Sequence, residues 1–310
     1  MTAGLPETPD VTVVVITRNR WPDLRESLPR HRCPVILLDN GSEDGTPAHV
    51  RASFPDIDVI ELGSNFGAVA RNMGVERATT PYVAFADDDS WWSPGALSSA
   101  ALTLDSYPRL AVLAARVLVG KDERPDPLCA AMEASPLGTE PDLPGPSVLG
   151  FLACGAIVRR DAFLAAGGFD EVVFFGGEEE RLALDLASQG LGLAYVDDVV
   201  ARHRPSPGRD RAERLARGER NRLLTAVMRR PWPVVARQML RAMRQGDPGL
   251  RGVLRAVPAL PRALRARRPV DRQVEAARRL VDTAPSLGAA SRRPGSPYAR
   301  ARSQAGTADP

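Results

Sequence analysis

Short apolar runs rich in β-branched residues alternate with helix-like segments through the first two-thirds of this chain. The runs that predict strands lie at residues 11–16, 35–38, 58–62, 82–86, 110–119 and 155–158. The segments that predict helices begin near Trp21 and then cover residues 46–54, 68–78 and 94–107. Strands that alternate with helices in this way indicate an α/β fold with a mostly parallel central sheet.

Polar side chains follow three of these predicted strands at the points where the strands end. Thr17 follows the first strand, Asp39 the second, and Asp87, Asp88 and Asp89 the fourth. In an open parallel sheet, ligands bind beyond the carboxyl ends of the strands. Three adjacent carboxylates repel one another unless a cation lies between them. A divalent metal that carries a phosphate meets that need, because hard cations prefer carboxylate oxygen. A solvated acidic turn is the alternative.

The pattern changes beyond the alternating region. Residues 120–147 are rich in Pro, Asp and Glu, and we expect an irregular segment that covers a ligand site. Residues 178–189 predict a helix, and the arginine-rich residues after His203 predict short amphipathic helices. The predicted organisation is a flexible start at 1–10, an α/β domain at 11–205, an Arg-rich helical extension at 206–283 and a disordered tail at 284–310.

Charge is distributed unevenly along the chain. Residues 1–201 carry 15 basic and 30 acidic side chains, a net charge of −15, whereas residues 202–310 carry 26 and 8, a net charge of +18. Such a basic segment predicts contact with an anionic surface, and we favour a membrane over nucleic acid. Three widely spaced cysteines fit a reducing compartment. We therefore expect a cytoplasmic protein that is peripheral at the inner face of the cell membrane.

Five motifs give the chain a resemblance to a known family. They are VVVITRNR, VILLDNGSEDGT, NFGAVARNMG, PYVAFADDDSWW and GGFDEVVFFGGEEE. Their order and spacing, over about residues 11–203, resemble the family 2 glycosyltransferases. The resemblance implies a GT-A fold and transfer of a sugar, with inversion, from a UDP-, dTDP- or GDP-sugar to a hydroxyl acceptor. Many such acceptors are linked to lipid, which suggests a role in cell-envelope polysaccharide or glycolipid synthesis.

The resemblance also implies a nucleotide-sugar site built from the strand ends and the third predicted helix. The residues that it implies for nucleotide-sugar binding are Thr17, Arg18, Asn19, Asp39, Asn65, Gly67, Arg71, Asp87 and Asp88. Gly67 permits close approach of a backbone, and Arg71 can contact base, ribose or diphosphate. For Asp39, a cap on the following turn remains the alternative.

Metal binding is implied for Asp89, Asp87 and His203, with Mn²⁺ or Mg²⁺ as the cofactor. Asp89 resembles the direct metal ligand, and Asp87 the carboxylate on the ribose side. Asp88 binds through water or holds the loop. Trp91 and Trp92 are expected either to stack against sugar or acceptor, or to pack in the core.

An inverting transferase also needs a general base for the acceptor hydroxyl. The family places a Glu-Asp pair after a glycine at the start of a helix, and here Gly177 precedes three glutamates. We expect Glu179 to be the base and keep Glu178 as the competitor. Acidic residues in a first helical turn are also favoured by the helix dipole alone, which is the structural alternative.

Two other enzyme classes lack their defining loop in this sequence. A nucleotidyltransferase and a dinucleotide oxidoreductase both need a glycine-rich loop after the first strand, where this chain has Thr17-Arg18-Asn19-Arg20. The remaining alternative is a non-catalytic module that binds a nucleotide sugar or a membrane surface on the same fold.

Overall fold

A computed structural model describes residues 8–205 and 211–284. Within those residues, nine strands form one sheet. The strands are β1 (Val11–Thr17), β2 (Val35–Asp39), β3 (Asp58–Glu61), β4 (Tyr82–Asp87), β5 (Ser90–Trp92), β6 (Leu110–Val119), β7 (Arg124–Pro125), β8 (Ala156–Arg159) and β9 (Gly192–His203). Their order is β3-β2-β1-β4-β8-β6-β9-β5, and β7 pairs with β6. Six strands run parallel while β5, β7 and β8 run antiparallel, so the predicted mostly parallel α/β fold is confirmed.

Twelve helices accompany the sheet in the same described ranges. They are α1 (Trp21–Ser27), α2 (Thr46–Ser53), α3 (Ala70–Arg77), α4 (Ala96–Ser106), α5 (Pro127–Glu133), α6 (Arg160–Ala165), α7 (Glu178–Ser188), α8 (Arg211–Arg229), α9 (Trp232–Arg244), α10 (Asp247–Ala256), α11 (Leu260–Arg265) and α12 (Arg272–Thr283). Residues 1–7 of the predicted flexible start and residues 285–310 of the predicted disordered tail lie outside the described residues.

The centre of the sheet is apolar because β1 is buried along its whole length between β2 and β4. Helix α3 packs closely on it at Gly74, where an added Cβ would lie 2.6 Å from a methyl carbon of Val14. Phe85, Phe163 and Phe169 form an aromatic cluster with ring centroids 5.3 to 5.5 Å apart. Large apolar side chains on both sides of the sheet are thereby removed from water.

Residues 120–147 differ from the expected irregular cover. They contain β7 and α5, and α5 packs on β6 and β9. Asp126 caps α5 by accepting a hydrogen bond from the Leu128 backbone, and Cys129 and Met132 face inward. The Pro- and acid-rich composition suggested a loop, but an Asp followed by proline is also a good helix start. None of these residues lines the cavity described below.

The arginine-rich helices pack onto the α/β domain. Val172 and Val173 of the domain share a buried apolar cluster with side chains from α8, α10 and α11. At α12, Arg278 lies 3.2 Å from Glu180 of α7. No helix in the described ranges is both long and apolar enough to cross a bilayer.

Candidate active site

The ends of β1, β2 and β4 meet at one edge of the sheet. Thr17 lies opposite Asp39, and Ile16 lies opposite Asp87 in the neighbouring strand. A cavity of about 450 Å³ opens at this edge. Six of the predicted binding residues line it, namely Thr17, Arg18, Asn65, Gly67, Asp87 and Asp88. Residues that sequence reasoning did not propose also line it, namely Ile16, Arg20, Asn40, Phe174, Phe175 and Arg217.

Asp39 and Asn19 shape the loops at the rim of this cavity. Both carboxylate oxygens of Asp39 accept hydrogen bonds from Ser42, one from the backbone amide at 2.9 Å and one from the hydroxyl. Asn19 has φ 55°, and its amide oxygen accepts from the Glu43 backbone at 2.8 Å. Asp39 therefore caps its turn, as the alternative reading held, and its contact with a nucleotide stays a prediction.

Asn40 and Gly67 form part of the cavity wall, and hydrogen bonds and close packing fix them in place. The buried Asn40 amide donates to the Gly67 carbonyl at 3.2 Å and accepts from the Phe66 backbone at 3.0 Å. Gly67 has φ 59°, and an added Cβ would lie 2.6 Å from the Phe174 carbonyl oxygen. Only glycine meets both conditions without strain. The sequence placed Asn40 at a polar strand end but could not give it this role, because its partner is a backbone carbonyl 27 residues away.

Arg71 links the two ends of the site. It is 1% exposed, and its guanidinium lies 2.5 Å from Asp87 Oδ1 and 3.7 Å from Glu178 Oε1. A buried cation between two carboxylates offsets charges that would otherwise be unpaired. The structure thus gives Arg71 a pairing role beside the predicted nucleotide contact.

Asp87, Asp89 and His203 come together at the end of β4. One ligand atom from each lies within 4.8 Å of the other two. His203 Nε2 is 3.1 Å from Asp89 Oδ1 as an ion-pair contact, and neither buried Asp89 oxygen accepts a hydrogen bond from the described residues. Carboxylate oxygen plus imidazole nitrogen suits Mn²⁺ or Mg²⁺. These orphaned oxygens fit a bound cation.

Asp88 faces away from that cluster toward Thr17, whose hydroxyl donates to it at 3.4 Å. Burial and the adjacent carboxylates of Asp89 and Asp87 raise the pKa of Asp88 to about 8. The Asp88 backbone carbonyl accepts from the Ser27 hydroxyl at 2.7 Å, which fixes the loop. The three aspartates therefore have different surroundings.

The three glutamates at the start of α7 also have different surroundings. Glu178 is buried against Arg71, and burial raises its pKa. Glu179 accepts from the Ala153 backbone at 3.3 Å, and burial together with the Glu178 carboxylate raises its pKa to about 8. Glu180 points to Arg278 in α12. Glu179 alone combines partial exposure with no cationic partner among the described residues.

Trp91 and Trp92 are both buried in β5, a short strand that the sequence did not predict. Trp92 donates from its indole nitrogen to the Phe85 carbonyl at 3.2 Å. The guanidinium carbons of Arg30 and Arg204 lie 4.3 and 5.1 Å from the centre of the Trp91 ring. Core packing accounts for both side chains, and contact with sugar or acceptor stays a prediction.

Helix α8 fixes the loop that leads to the glutamates. The Asn221 side-chain amide donates to the carbonyls of Phe175 and Gly176 at 2.8 and 2.7 Å. Arg220 donates to the carbonyls of Val172 and Val173, both at 3.1 Å. One turn earlier, Arg217 reaches the cavity. No local sequence motif predicts the roles of Arg220 and Asn221, because their hydrogen-bond partners lie more than 40 residues away in the chain.

The profile described as glycosyl transferase family 2 matches residues 12–165, which include the first four strands and the aspartates. The chain belongs to glycosyltransferase family 2. Within the family it is 32% identical, over 210 residues, to the pre-mycofactocin glycosyltransferase of Mycobacterium tuberculosis, a match that covers 64% of this chain. It spans only 43% of that relative's length.

A second relative of this family 2 chain is the N-acetylglucosaminyl-diphospho-decaprenol L-rhamnosyltransferase of Mycobacterium tuberculosis. It is 29% identical over 244 residues, covering 66% of this chain and 80% of the relative. Among solved structures, the mannosyltransferase PcManGT from Pyrobaculum calidifontis, in complex with GDP-Man and Mn²⁺, aligns with a TM-score of 0.56 at 23% identity and covers 97% of this chain and 81% of that one. S. aureus TarS 1-349 with UDP-GlcNAc aligns with a TM-score of 0.54 at 17% identity and covers 88% of each chain. These structures confirm the GT-A fold.

Proposed function

We propose that this chain transfers a sugar from a nucleoside-diphosphate sugar to a hydroxyl acceptor, with inversion at the anomeric carbon. The observation that carries the proposal is the pair of buried Asp89 oxygens that accept no hydrogen bond among the described residues, beside His203 and beside Asp87, which lines the cavity of about 450 Å³. PcManGT with GDP-Man and Mn²⁺ and TarS with UDP-GlcNAc, which share the fold, support this ligand class.

Proton transfer is the task that we propose for Glu179. Its carboxylate takes the proton of the acceptor hydroxyl while that oxygen bonds to the anomeric carbon. The bond from that carbon to the phosphate oxygen breaks, and the electron pair leaves with the nucleoside diphosphate. A base is most effective when its pKa lies near the working pH, and burial brings the pKa of Glu179 to about 8.

Glu178 is the weaker candidate for this step. It is 2% exposed, and the Arg71 guanidinium 3.7 Å away stabilises its charged form. A carboxylate in such a pair orients its neighbours more readily than it accepts a proton. We therefore propose that Glu178 and Arg71 position the start of α7 and the Asp87 side chain.

Asp89, Asp87 and His203 are the residues that would hold Mn²⁺ or Mg²⁺. A cation bound there supplies positive charge to the phosphates of the departing nucleotide. On the donor side, Arg217 adds a cationic side chain to a cavity that otherwise contains Arg18, Arg20 and two aspartates. We propose that Arg217 contacts the diphosphate, since guanidinium groups bind phosphate oxygens well.

The acceptor and the cellular position are further parts of the proposal. The rhamnosyltransferase relative is named for a lipid-linked acceptor, whereas the other relative is named for pre-mycofactocin. We propose a lipid-linked hydroxyl acceptor of the cell envelope, reached from the cytoplasmic side of the membrane. The basic C-terminal part of the chain, with a net charge of +18 over residues 202–310, favours the lipid-linked choice.

A nucleotide-release screen tests the proposal. The full chain is incubated with UDP-, dTDP- and GDP-sugars, Mn²⁺ and N-acetylglucosaminyl-diphospho-decaprenol, and free nucleoside diphosphate is measured. We expect Asp89→Asn and Glu179→Gln each to lower turnover at least 100-fold. Glu171→Gln removes an exposed carboxylate from the segment that precedes α7, and it should leave turnover unchanged. Wild-type turnover in both site variants would refute the assignment.

The non-catalytic alternative makes a different prediction in the same screen. A binding module would bind a nucleotide sugar, detected by calorimetry, without releasing nucleoside diphosphate under any acceptor condition. The orphaned Asp89 oxygens and the raised pKa of Glu179 favour the enzyme, because a pure binding site needs no base.

A further inference from the structure

The arginine-rich helices expose an unusual amount of apolar surface. Eight of the fourteen large hydrophobic side chains that are exposed in the described residues fall between residues 232 and 264. They are Trp232, Met239, Leu240, Met243, Leu250, Leu254, Val257 and Leu264, with exposed fractions from 40% to 60%. Single exposed hydrophobic residues need no explanation, but a concentration of this kind marks a contact surface.

These side chains follow helical spacing. On α9, Leu240 and Met243 are three residues apart, and Ala236 continues their stripe one turn earlier. Leu250 and Leu254 of α10, Val257 of the 3-10 turn Val257–Ala259 and Leu264 of α11 recur every three, four or seven residues. Residues at this spacing share one helix face. Each stretch thus carries an apolar stripe toward solvent.

The opposite sides of the same helices are fixed against the protein. Val234 and Ala242 of α9 are buried, as are Gly249, Gly252 and Ala256 of α10. An added Cβ at Gly249 would lie 1.8 Å from the Ala242 carbonyl oxygen, so α9 and α10 touch through their backbones. The solvent stripes are therefore not the packing faces of these helices.

Arginines flank the two stripes. Arg237, Arg241, Arg244, Arg262 and Arg265 form no ion pair with any carboxylate in the described ranges. Among the arginines of α9, α10 and α11, all of which lie in the described ranges, only Arg251 and Arg255 form ion pairs, with Asp247 and Glu213 respectively. Elsewhere most buried or half-buried arginines, such as Arg71 and Arg230, have an acidic partner. The face defined by the eight hydrophobic residues and these five arginines is called the amphipathic face below.

We propose that the amphipathic face docks the protein on an anionic lipid bilayer. Apolar stripes bury their side chains at the headgroup boundary, and flanking arginines extend their charges to lipid phosphates. Nucleic acid would satisfy the arginines but leave the apolar stripes in water. A second copy of the chain would bury the stripes but oppose arginine to arginine across a twofold axis. A membrane satisfies both. The inference deepens the proposed function on the acceptor side, and its test needs no sugar transfer.

Vesicle binding of the full chain tests this inference. Co-sedimentation is measured with phosphatidylcholine vesicles and with vesicles containing phosphatidylglycerol, over a salt series. We expect binding to the anionic vesicles that weakens with salt yet keeps a residual apolar component. Failure to bind anionic vesicles at low salt would overturn the inference, whether or not the chain releases nucleotide in the screen above.

Paired variants locate the binding surface. Arg237→Gln combined with Arg241→Gln should weaken binding roughly 30-fold, about fivefold for each arginine near the surface. Arg25→Gln with Arg32→Gln removes two exposed arginines elsewhere and should bind like wild type. Leu240→Glu with Leu254→Glu should abolish residual binding, whereas Leu102→Glu, at a leucine 68% exposed on α4, should not.

The same variants discriminate the rival occupants. If the leucine pair bound vesicles as well as wild type, or if the arginine pair lost DNA binding but no vesicle binding, the inference would be wrong. If light scattering found a dimer that Leu240→Glu with Leu254→Glu dissociated, the face would be a self-contact and the inference would also be wrong. Thermal melting checks that each variant remains folded.

Discussion

The guanidinium of Arg71 lies 2.5 Å from Asp87 Oδ1, inside a protein core that leaves Arg71 only 1% exposed. The same cation faces Glu178. Asp87, in the proposed metal site, and the helix that carries the proposed base therefore share one counter-ion. Any substitution that removes it leaves two acidic groups without compensation, so stability and site geometry are coupled through this residue.

Arg71→Met is expected to lower the free energy of unfolding by about 3–5 kcal/mol, because it leaves the buried Glu178 carboxylate without its cation and also removes the partner of the partly exposed Asp87. The matched control is Arg77→Met on the same helix, which breaks an ion pair with Asp58 whose side chains are 63% and 42% exposed. That change should cost no more than about 1 kcal/mol. Urea denaturation measures both. Equal losses would contradict the buried-pair argument.

Gly67→Ala is expected to destabilise the protein and weaken donor binding. The new Cβ would lie 2.6 Å from the Phe174 carbonyl, in addition to the strain of φ 59°. Gly63→Ala has φ 68° but nothing within 4 Å of the new atom, so it isolates the conformational cost of about 1–2 kcal/mol. The difference in melting temperature between the two variants reports the energetic cost of the contact with the Phe174 carbonyl. Equal melting temperatures would mean that the Phe174 backbone moves away from the new Cβ at little energetic cost.

Arg217→Gln should raise the KM for the nucleotide sugar about tenfold and change kcat less, since a charge-assisted hydrogen bond to phosphate contributes roughly 1.5–3 kcal/mol. Arg222→Gln is the control on the same helix. Both arginines are about half exposed and pair with a glutamate, but only Arg217 lines the cavity. Initial rates at varied donor concentration separate the two effects. An unchanged donor KM in Arg217→Gln would exclude the proposed contact.

The proposed role of Glu179 as base predicts that activity and stability change with pH in opposite directions. A base with pKa about 8 must lose its proton, so kcat/KM should rise from pH 6 to pH 8. Its pKa is raised on folding from 4.5, so its stabilising contribution is present below about pH 4.5 and is lost as pH rises to about 8. Glu179→Gln should therefore gain at least about 3 °C in Tm over wild type at pH 8.5, and little at pH 4.5. Glu171→Gln should show neither effect.

Mn²⁺ should raise the melting temperature of the wild type, with about 2.7 kcal/mol of added stability at a concentration 100 times the Kd. Asp89→Asn should remove this response, because it replaces one of the oxygens that lack a donor. Asp198→Asn, at an exposed position in the same strand as His203, should retain it. A full Mn²⁺ response in Asp89→Asn would place the ion elsewhere. The measurement is independent of any enzymatic assay.

The fold could be predicted from the sequence because its signals are local. β1, β2 and β4 are apolar runs that end in polar residues, and these ends bring Thr17, Asp39 and Asp87 to one edge by topology alone. β5 was not predictable in this way, since its three residues become a strand only by pairing with β9. Its partners Ala201 to His203 are over 100 residues away in the chain.

The same distinction between local and long-range signals applies to the candidate site. The spacing of Asp87 and Asp89 on one loop was visible in the sequence, as was the run of glutamates after Gly177. What separates Glu178 from Glu179 is a contact with Arg71, and that depends on how α3 packs. Arg217 has no motif at all, because its position follows from the packing of α8 on the 172–176 loop.

The hydrogen bonds from Asn221 to residues 175 and 176 bear on how such a protein can change over evolution. A recombination event that joined the first 205 residues to a foreign C-terminal segment would remove these hydrogen bonds and release the loop ahead of Glu178. Val172 and Val173 would also lose their apolar partners. The C-terminal helices are therefore part of the structure that supports the start of α7, and replacing them as a block would disturb the candidate site.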